Sequence, residues 1–175
     1  MVGVGSWGPS YGTPTNPEHP MQTATFTTFR DLSTDEAEAL LRAHHVGRIA
    51  YSWRDHVDIE PIHYVYADGA IYARTSGGAK LMTLRHSPWL AFEVDECDGL
   101  YDWRSVVAHG TAYALRADGP PLEQEAFERG LALLRTLEPA ALTADDPVPW
   151  RNVVLRIHVD RLRGRAATNG EMFRR

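Results

Sequence analysis

Alternating apolar and polar residues, in short runs separated by turn-forming residues, dominate the middle of the chain. Alternation with a period of two is typical of strands that bury one face. The pair Asp68-Gly69 between two of these runs is a strong hairpin signal, because both residues tolerate positive φ. The pattern predicts six strands: Ile49–Trp53, Val57–Tyr66, Ala70–Thr75, Trp89–Asp95, Ser105–Leu115 and Val153–Val159.

Apolar residues at helical spacing predict three short helices between these strands. The first begins at Ser33-Thr34-Asp35-Glu36, which has the form of a capping box, and we expect Gly47 to end it. The second covers Ala79–Arg85. The third opens at Pro120-Pro121, where the missing amide is tolerated, and ends before Pro139.

Together these elements predict a mainly β fold with short helices, an α+β protein whose six antiparallel strands form a closed or nearly closed barrel. Closure removes exposed sheet edges. A doubly wound α/β sheet is not indicated, because long helices do not alternate with the strands. Small residues share one face of the fifth predicted strand, from Val106 to Ala114, and predict the close approach of a planar ligand or a partner on that side.

The N-terminal residues have a composition that buries little surface. From Met1 to about Met21 the chain is rich in Gly, Pro, Ser, Thr and Asn, which favours turns over regular structure. We therefore expect a flexible N-terminal extension over residues 1–28, with Met21 as an alternative start, and one domain over residues 29–175. A chain of 175 residues with 43% hydrophobic residues is long enough for one domain with its own core.

The net charge of the chain limits the binding partners that can be expected. The formal net charge is −5, without the basic patches that contact a nucleic-acid backbone, so no nucleic acid is expected. No apolar run approaches the roughly 20 residues of a transmembrane helix, so no membrane association is expected either.

The cysteine content and the N-terminal residues favour a cytoplasmic location. Cys97 is the single cysteine, and the first residues of the chain lack the pattern of a secretion signal. The eight histidines lack the spacing of a metal site, and we expect no metal.

A chemical signal lies where the third predicted strand meets the second predicted helix, in Tyr72–Leu81. Exposed amides at a helix start attract an anion, and glycines let the backbone approach it. Arg74 and Lys80 add positive charge, and a cation in the first turn of a helix favours an anionic partner. The segment therefore has the outline of a phosphate site, and the alternative is an ordinary Gly-rich loop with solvated cations.

The order and spacing of several short segments resemble the pyridoxamine 5'-phosphate oxidase-like flavoproteins, over about residues 32 to 166. The resemblance is strongest to the small bacterial branch that includes nitroimidazole-resistance proteins. The segments are Val46–Ala50, Glu60–Val65, Arg74–Leu81, Phe92–Asp95 and Trp103–Gly110.

This resemblance implies a homodimer of split β-barrels with FMN at the interface. The loop that carries Thr75 and Lys80 would hold the phosphate, and the flavin ring would lie beside the second strand near Pro61. The strand that begins at Trp103 would come from the partner subunit, with Ser105 near the ring. The cofactor-binding residues assigned on this basis are Pro61, Ile62, His63, Arg74, Thr75, Ser76, Lys80, Leu81, Trp103, Ser105 and Val106.

The activity that the resemblance implies is an FMN-dependent oxidoreductase. Such a protein passes hydride or electrons to a small-molecule acceptor, with a nicotinamide cofactor as a candidate reductant, and needs no acid or base from its own side chains. The alternatives are a non-catalytic module that binds or senses a flavin or haem, with His63 and His109 as candidate contacts, and a deazaflavin-dependent reductase.

The sequence departs from the family pattern in two places. Arg74 stands near a position where the nitroimidazole-resistance branch commonly has histidine, and the substrate-phosphate residues of the vitamin B6 oxidases are not matched. The physiological substrate is therefore not indicated.

Overall fold

Seven strands and three helices make up residues 23–173, the part of the chain that the computed structural model describes. The elements follow in the order β1 (Thr23–Asp31), α1 (Thr34–Ala43), β2 (Val46–Trp53), β3 (His56–Ala67), β4 (Ala70–Thr75), α2 (Ala79–His86), β5 (Trp89–Gly99), β6 (Asp102–Leu115), α3 (Pro121–Leu134) and β7 (Val153–Phe173). No helix within this range is long and apolar enough to cross a membrane.

Six of the strands close into a ring in which every pair is antiparallel. The sheet order is β7-β4-β3-β2-β5-β6, and a further pairing between β6 and β7 completes the circle. β1 lies outside the ring and pairs with the C-terminal half of β7. The structure thus confirms the predicted mainly β fold with a six-stranded antiparallel barrel, and β1 adds a seventh strand to it.

β7 is much longer than the sequence pattern predicted, because it continues to Phe173 instead of ending at Val159. Its first half pairs with β4 on one side and with β6 on the other. Beyond Val159 the segment is rich in arginine and loses its apolar alternation, so no strand signal remains. Pairing with β6 and β1 nevertheless holds Arg161–Ala167 extended, which only the tertiary structure reveals.

β1 also lies partly within the region predicted to be a flexible extension. Residues 1–22 are outside the described part of the chain, but Thr23–Asp31 is paired to β7 along its whole length. The predicted boundary at residue 28 therefore falls inside a strand. The segment is rich in threonine, which favours strands, but its apolar and polar residues alternate only weakly. Its two phenylalanines, Phe26 and Phe29, are both exposed.

The local signals around the first helix and the first hairpin are confirmed. Ser33 Oγ accepts a hydrogen bond from the Glu36 amide at 3.2 Å, and the Glu36 carboxylate accepts one from the Ser33 amide at 2.8 Å. Asp68 and Gly69 both have positive φ, 47° and 72°, as the turn between β3 and β4 requires. α2 and α3 also form where predicted, although α3 ends at Leu134, several residues before Pro139.

The core fills the inside of the barrel and is covered at one end by α1. Tyr64 and Phe92 lie at its centre, with ring centroids 4.8 Å apart in an edge-to-face arrangement, and the Tyr64 hydroxyl donates to the Leu41 carbonyl at 2.8 Å. The largest fully buried side chains are Tyr64, Phe92, Leu41, Ile49, Ile71, Leu155, Ile157, Val94, Val106 and Val154.

The small residues of β6 belong to this core. Val106, Ala108 and Ala112 are buried inside the barrel, and the backbone of His158 in β7 lies against Gly110. The close approach that these residues allow is therefore that of a neighbouring strand. A planar ligand or a partner therefore finds no surface at Val106, Ala108 and Ala112, whereas Ala114, at the end of the same face, is only half-buried.

Gly47 has a different role from the predicted one. α1 ends at Ala43, and Gly47 lies in β2 with its backbone paired to Ile62. A methyl group at this position would overlap the ring of Phe92. The glycine is therefore needed for the close approach of a buried aromatic ring and not for ending the helix.

Replacing Gly47 with alanine should destabilise the fold by about 1 to 3 kcal/mol, because the added methyl group overpacks the ring of Phe92. Replacing the ring with a smaller side chain should relieve the overlap. Gly47→Ala should therefore cost less in the Phe92→Leu background than in wild type. Urea unfolding measures both effects. Gly77→Ala is the matched control, since no atom lies within 4 Å of its added carbon, and an equal loss there would contradict the packing explanation.

Candidate functional site

The loop between β4 and α2 has the form of an anion site. Thr75 is buried at the end of β4, whereas Ser76, Gly77 and Gly78 are exposed. Gly78 precedes the helix with a φ of 150°, and no side chain caps the first amides of α2. Nothing lies within 4 Å of a carbon added at Gly77 or Gly78. The loop is open to a ligand, and uncapped amides at a helix start favour an anionic one.

Lys80, in the first turn of α2, already has an anionic partner within the protein. Its Nζ lies 2.9 Å from Glu60 Oε2, and Glu60 also accepts a hydrogen bond of 2.5 Å from the Tyr51 hydroxyl. The hydrogen bond from Tyr51 and the ion pair with Lys80 hold the pKa of Glu60 below its usual range, although burial acts in the opposite direction. Burial and the neighbouring Glu60 carboxylate together raise the pKa of Tyr51. Glu60 is therefore a charged carboxylate next to the predicted phosphate loop.

Arg74 is engaged on all three of its nitrogen atoms. It forms an ion pair with Asp146, and its Nε donates to the Arg151 carbonyl at 2.9 Å. Both side chains are deeply buried, with 9% and 1% of their area exposed. The guanidinium thus ties the end of β4 to the segment between α3 and β7. This geometry gives Arg74 a structural role and does not support its assignment as a phosphate ligand.

Asp146 is the centre of that segment. Its carboxylate accepts hydrogen bonds from the amides of Leu142 and Val148, at 2.8 and 2.9 Å, in addition to the ion pair with Arg74. Burial alone would raise the pKa of Asp146, but these amide and guanidinium donors outweigh it and lower the pKa below the usual range. The carboxylate is therefore ionised and fully bonded, as a buried charge must be.

A cavity of about 290 Å³ lies beside this ion pair. Leu134, Leu137, Pro147 and Val148 form the apolar part of its wall, and the polar members are His63, Arg74, Glu138 and Arg151. His63 is exposed. Two of the predicted site residues thus share one cavity, next to the strand end that leads into the predicted phosphate loop.

The remaining residues predicted for the first subunit differ in how accessible they are. Pro61 is exposed on β3, whereas the side chains of Ile62 and Leu81 are buried in the core. Thr75 is buried as well, and its hydroxyl has the Ser76 carbonyl at 3.5 Å as its neighbour. Within this set, Pro61 and the exposed loop offer surface to a ligand. Ile62 and Leu81 instead anchor β3 and α2 to the core.

The residues predicted to come from a partner lie elsewhere on the barrel. β2 and β5 separate β6 from β3, so Ser105 and Pro61 are not neighbours within one chain. The Ser105 hydroxyl donates to Glu93 at 2.9 Å, and the half-buried Trp103 faces the ring of Phe29 at 6.3 Å. Val106 is fully buried. One chain therefore carries both halves of the predicted site but does not bring them together.

Sequence reasoning missed the two carboxylates that hold the cations. Glu60 stands directly before Pro61 in the segment that carries the family resemblance, so its position next to the site was open to prediction. Asp146 lies in an irregular segment 72 positions from Arg74, with no local pattern to connect them. The pairing of the arginine with this carboxylate depends on the path of the chain after α3.

Comparison with known proteins places the chain in a family. Residues 33–166 match the pyridoxamine 5'-phosphate oxidase family, and the chain belongs to it. An uncharacterized protein of Rhizobium meliloti is 25% identical over 151 residues, which cover 82% of this chain and 98% of that protein.

Solved structures with the same fold include a FAD-binding protein of Mesorhizobium loti. It is 27% identical with a TM-score of 0.64, and the match covers 82% of this chain and 99% of that one. A candidate 5-nitroimidazole antibiotic resistance protein of Bacteroides thetaiotaomicron has a TM-score of 0.62 at 11% identity, and the match covers 89% of this chain and 98% of that one. At this identity the second similarity shows the fold alone.

Replacing Arg74 with methionine should destabilise the protein by about 3 kcal/mol, because it leaves the buried Asp146 carboxylate without its cation. Arg116→Met is the matched control. Arg116 also pairs with an aspartate, Asp118, but both side chains are exposed, so its loss should cost about 1 kcal/mol or less. Urea unfolding at pH 7 compares the two, and similar costs would contradict the role assigned to Arg74.

The Arg74–Asp146 pair makes the stability of the protein depend on pH. Because folding lowers the pKa of Asp146, its contribution to stability is complete above the unfolded-state pKa of about 4 and is lost as the pH falls through the lower folded-state value. Wild type should therefore lose its advantage over Arg74→Met in acid, and unfolding midpoints measured between neutral and acidic pH test this.

Proposed function

We propose that this protein binds a flavin, with FMN as the expected form, and acts as a flavin-dependent oxidoreductase on a small-molecule acceptor. One observation carries the proposal: an exposed Gly-rich loop runs into the uncapped start of α2, with Lys80 beside it, in a member of the pyridoxamine 5'-phosphate oxidase family. The FAD-binding protein of Mesorhizobium loti, at 27% identity, supports a flavin as the ligand.

The residues present fit the phosphate of such a cofactor. The first amides of α2 and the hydroxyl of the exposed Ser76 can donate hydrogen bonds to phosphate oxygens, and Lys80 can neutralise part of the charge. Arg74 contributes indirectly, because its ion pair with Asp146 holds the end of β4 from which the loop departs. Pro61 offers an exposed, rigid surface on the neighbouring strand. A bound flavin would supply the hydride or electron transfer itself.

A second candidate is a module that holds a flavin or haem without turnover. It is favoured by the state of the charged residues near the loop, since Lys80 and Arg74 both form ion pairs with carboxylates. No acid and base are thereby left poised for proton transfer among the residues named at this loop. A deazaflavin reductase is a third possibility within the same fold.

Extraction of the protein-bound ligand followed by mass spectrometry should identify FMN, and it separates FMN from FAD, a deazaflavin and haem. The purified protein should be yellow, or should bind added FMN after the ligand is removed. A nicotinamide cofactor should then reduce the bound flavin, and an added acceptor should reoxidise it over many cycles. A colourless protein that binds no flavin would refute the proposal, and binding without turnover would favour the non-catalytic module.

We also propose a homodimer, in which the second subunit completes the site with its Trp103–Val106 segment. An outward-facing patch crosses four strands of the barrel and is the expected interface. In one row Ile59, Ala50, Ala91 and His109 are paired side by side across β3, β2, β5 and β6. The exposed Val57 and Trp89 flank this row.

One property of the patch, which we define as Ala50, Ser52, Val57, Ile59, Trp89, Ala91 and His109, supports a protein partner. Its large apolar side chains are exposed, which marks an interaction surface when they lie together. A facing subunit would cover this apolar surface.

Trp89→Asp should convert the dimer into a monomer at micromolar concentration, because it places an unpaired charge in the centre of the patch. Light scattering after size-exclusion chromatography measures the mass. Leu122→Asp makes the same change at an exposed position on α3, away from the patch, and should leave the dimer intact. A wild-type monomer that still holds its cofactor would remove this proposal.

A further inference from the structure

Lys80 and Glu60 differ strongly in their freedom to move. The Lys80 side chain is only 13% exposed, whereas that of Glu60 is 43% exposed. The lysine side chain is thus mostly buried, while nearly half of the glutamate side chain is in contact with solvent. If the ion pair opens, Glu60 can turn into water more readily than Lys80.

The Tyr51 hydroxyl keeps Glu60 in place in the absence of a competitor. Tyr51 lies on β2 and donates to Glu60 Oε1, while Lys80 binds Oε2 of the same carboxylate. The lowered pKa of Glu60 means that the carboxylate is charged at neutral pH. Two strands and one helix therefore hold a negative charge at the entrance of the loop that is expected to receive a phosphate.

We infer that Glu60 competes with the flavin phosphate for Lys80 and thereby sets how strongly the site prefers a phosphorylated flavin over an uncharged one. The inference rests on the proposed flavin site. One ammonium group cannot fully neutralise both a carboxylate and a phosphate ester that carries nearly two negative charges at neutral pH. Binding of FMN therefore weakens the Lys80–Glu60 pair, and the repulsion between the Glu60 carboxylate and the phosphate opposes binding.

Riboflavin makes a sharp comparison, because it has the same ring but no phosphate. Its binding leaves the Lys80–Glu60 pair closed, so the charge on Glu60 should not affect it. Glu60 acts through Lys80 and is a positioning residue: it makes no contribution to flavin chemistry and changes only the balance between charged and uncharged ligands.

The test uses Glu60→Gln, which removes the charge and keeps an acceptor for Tyr51. FMN affinity should rise by about twofold to fivefold, the range expected for a partly exposed ion pair, while riboflavin affinity stays the same. Quenching of flavin fluorescence in titrations of the ligand-free protein gives both dissociation constants. Glu38→Gln is the matched control, since it also removes a carboxylate from an ion pair, on the surface of α1, and should change neither constant.

A double-mutant cycle with Lys80→Ala separates competition from a merely structural effect. Lys80→Ala alone should weaken FMN binding by about tenfold, because a charge-assisted contact of roughly 1.5 kcal/mol is lost, and should leave riboflavin binding unchanged. In the Lys80→Ala background, Glu60→Gln should lose most of its benefit, because the residue for which the two anions compete is absent. If Glu60→Gln lowers FMN affinity, or raises the affinities for both flavins equally, the inference is wrong.

Failure of the inference is distinguishable from failure of the proposed function. If wild type binds both flavins and Glu60→Gln leaves their affinity ratio unchanged, the flavin site stands and the competition does not. If no flavin binds to any variant, the proposed function fails, and inorganic phosphate serves as the probe. A larger rise of the melting temperature with phosphate in Glu60→Gln than in wild type would then support competition for Lys80, and an equal rise would overturn it.

Discussion

Antiparallel pairing between β6 and β7 closes the barrel, and the rest of the structure depends on that closure. β7 is bonded along its first half to β4 on one side and β6 on the other, so it joins the two ends of a sheet that would otherwise have open edges. Because the ring is closed, the inward residues of all six strands share one core around Tyr64 and Phe92. β7 also pairs with β4 as far as Thr75, the residue directly before the loop that leads into α2.

The charged residues around that loop divide by burial into two kinds. Arg74 and Asp146 are both deeply buried and surrounded by backbone partners, so their pairing maintains structure and resists exchange. Lys80 is enclosed, but its partner Glu60 is half exposed, so this pair can open when another anion arrives. Two cations that look equivalent in the sequence, six positions apart, thus have different roles because their carboxylates differ in access to water.

The geometry of the single chain favours the proposed assembly. The exposed loop after β4 and the Trp103–Val106 segment of β6 lie on strands that β2 and β5 keep apart. A ligand held by both segments would need them from two chains, and the exposed apolar patch that includes Trp89 offers a surface for the second. This is the physical basis on which a flavin site and a homodimer are proposed together.

Elements whose signals are local could be predicted from the sequence. The capping box at Ser33, the Asp68-Gly69 hairpin and the strands with clear alternation form as predicted, because their causes lie within a few neighbouring residues. The family resemblance likewise rests on short segments in a given order, and it led to the right fold and to the loop before α2.

Features that depend on residues far apart in the chain follow from long-range pairing and packing. The strand nature of the arginine-rich part of β7 comes from pairing with β6 and β1, not from its own pattern. Gly47 is needed because Phe92, 45 positions later, packs against it, and Arg74 is withdrawn from the predicted phosphate site by Asp146. In each case the decisive partner lies on another strand or loop that folding brings close, and no periodicity or spacing along the chain encodes such a contact.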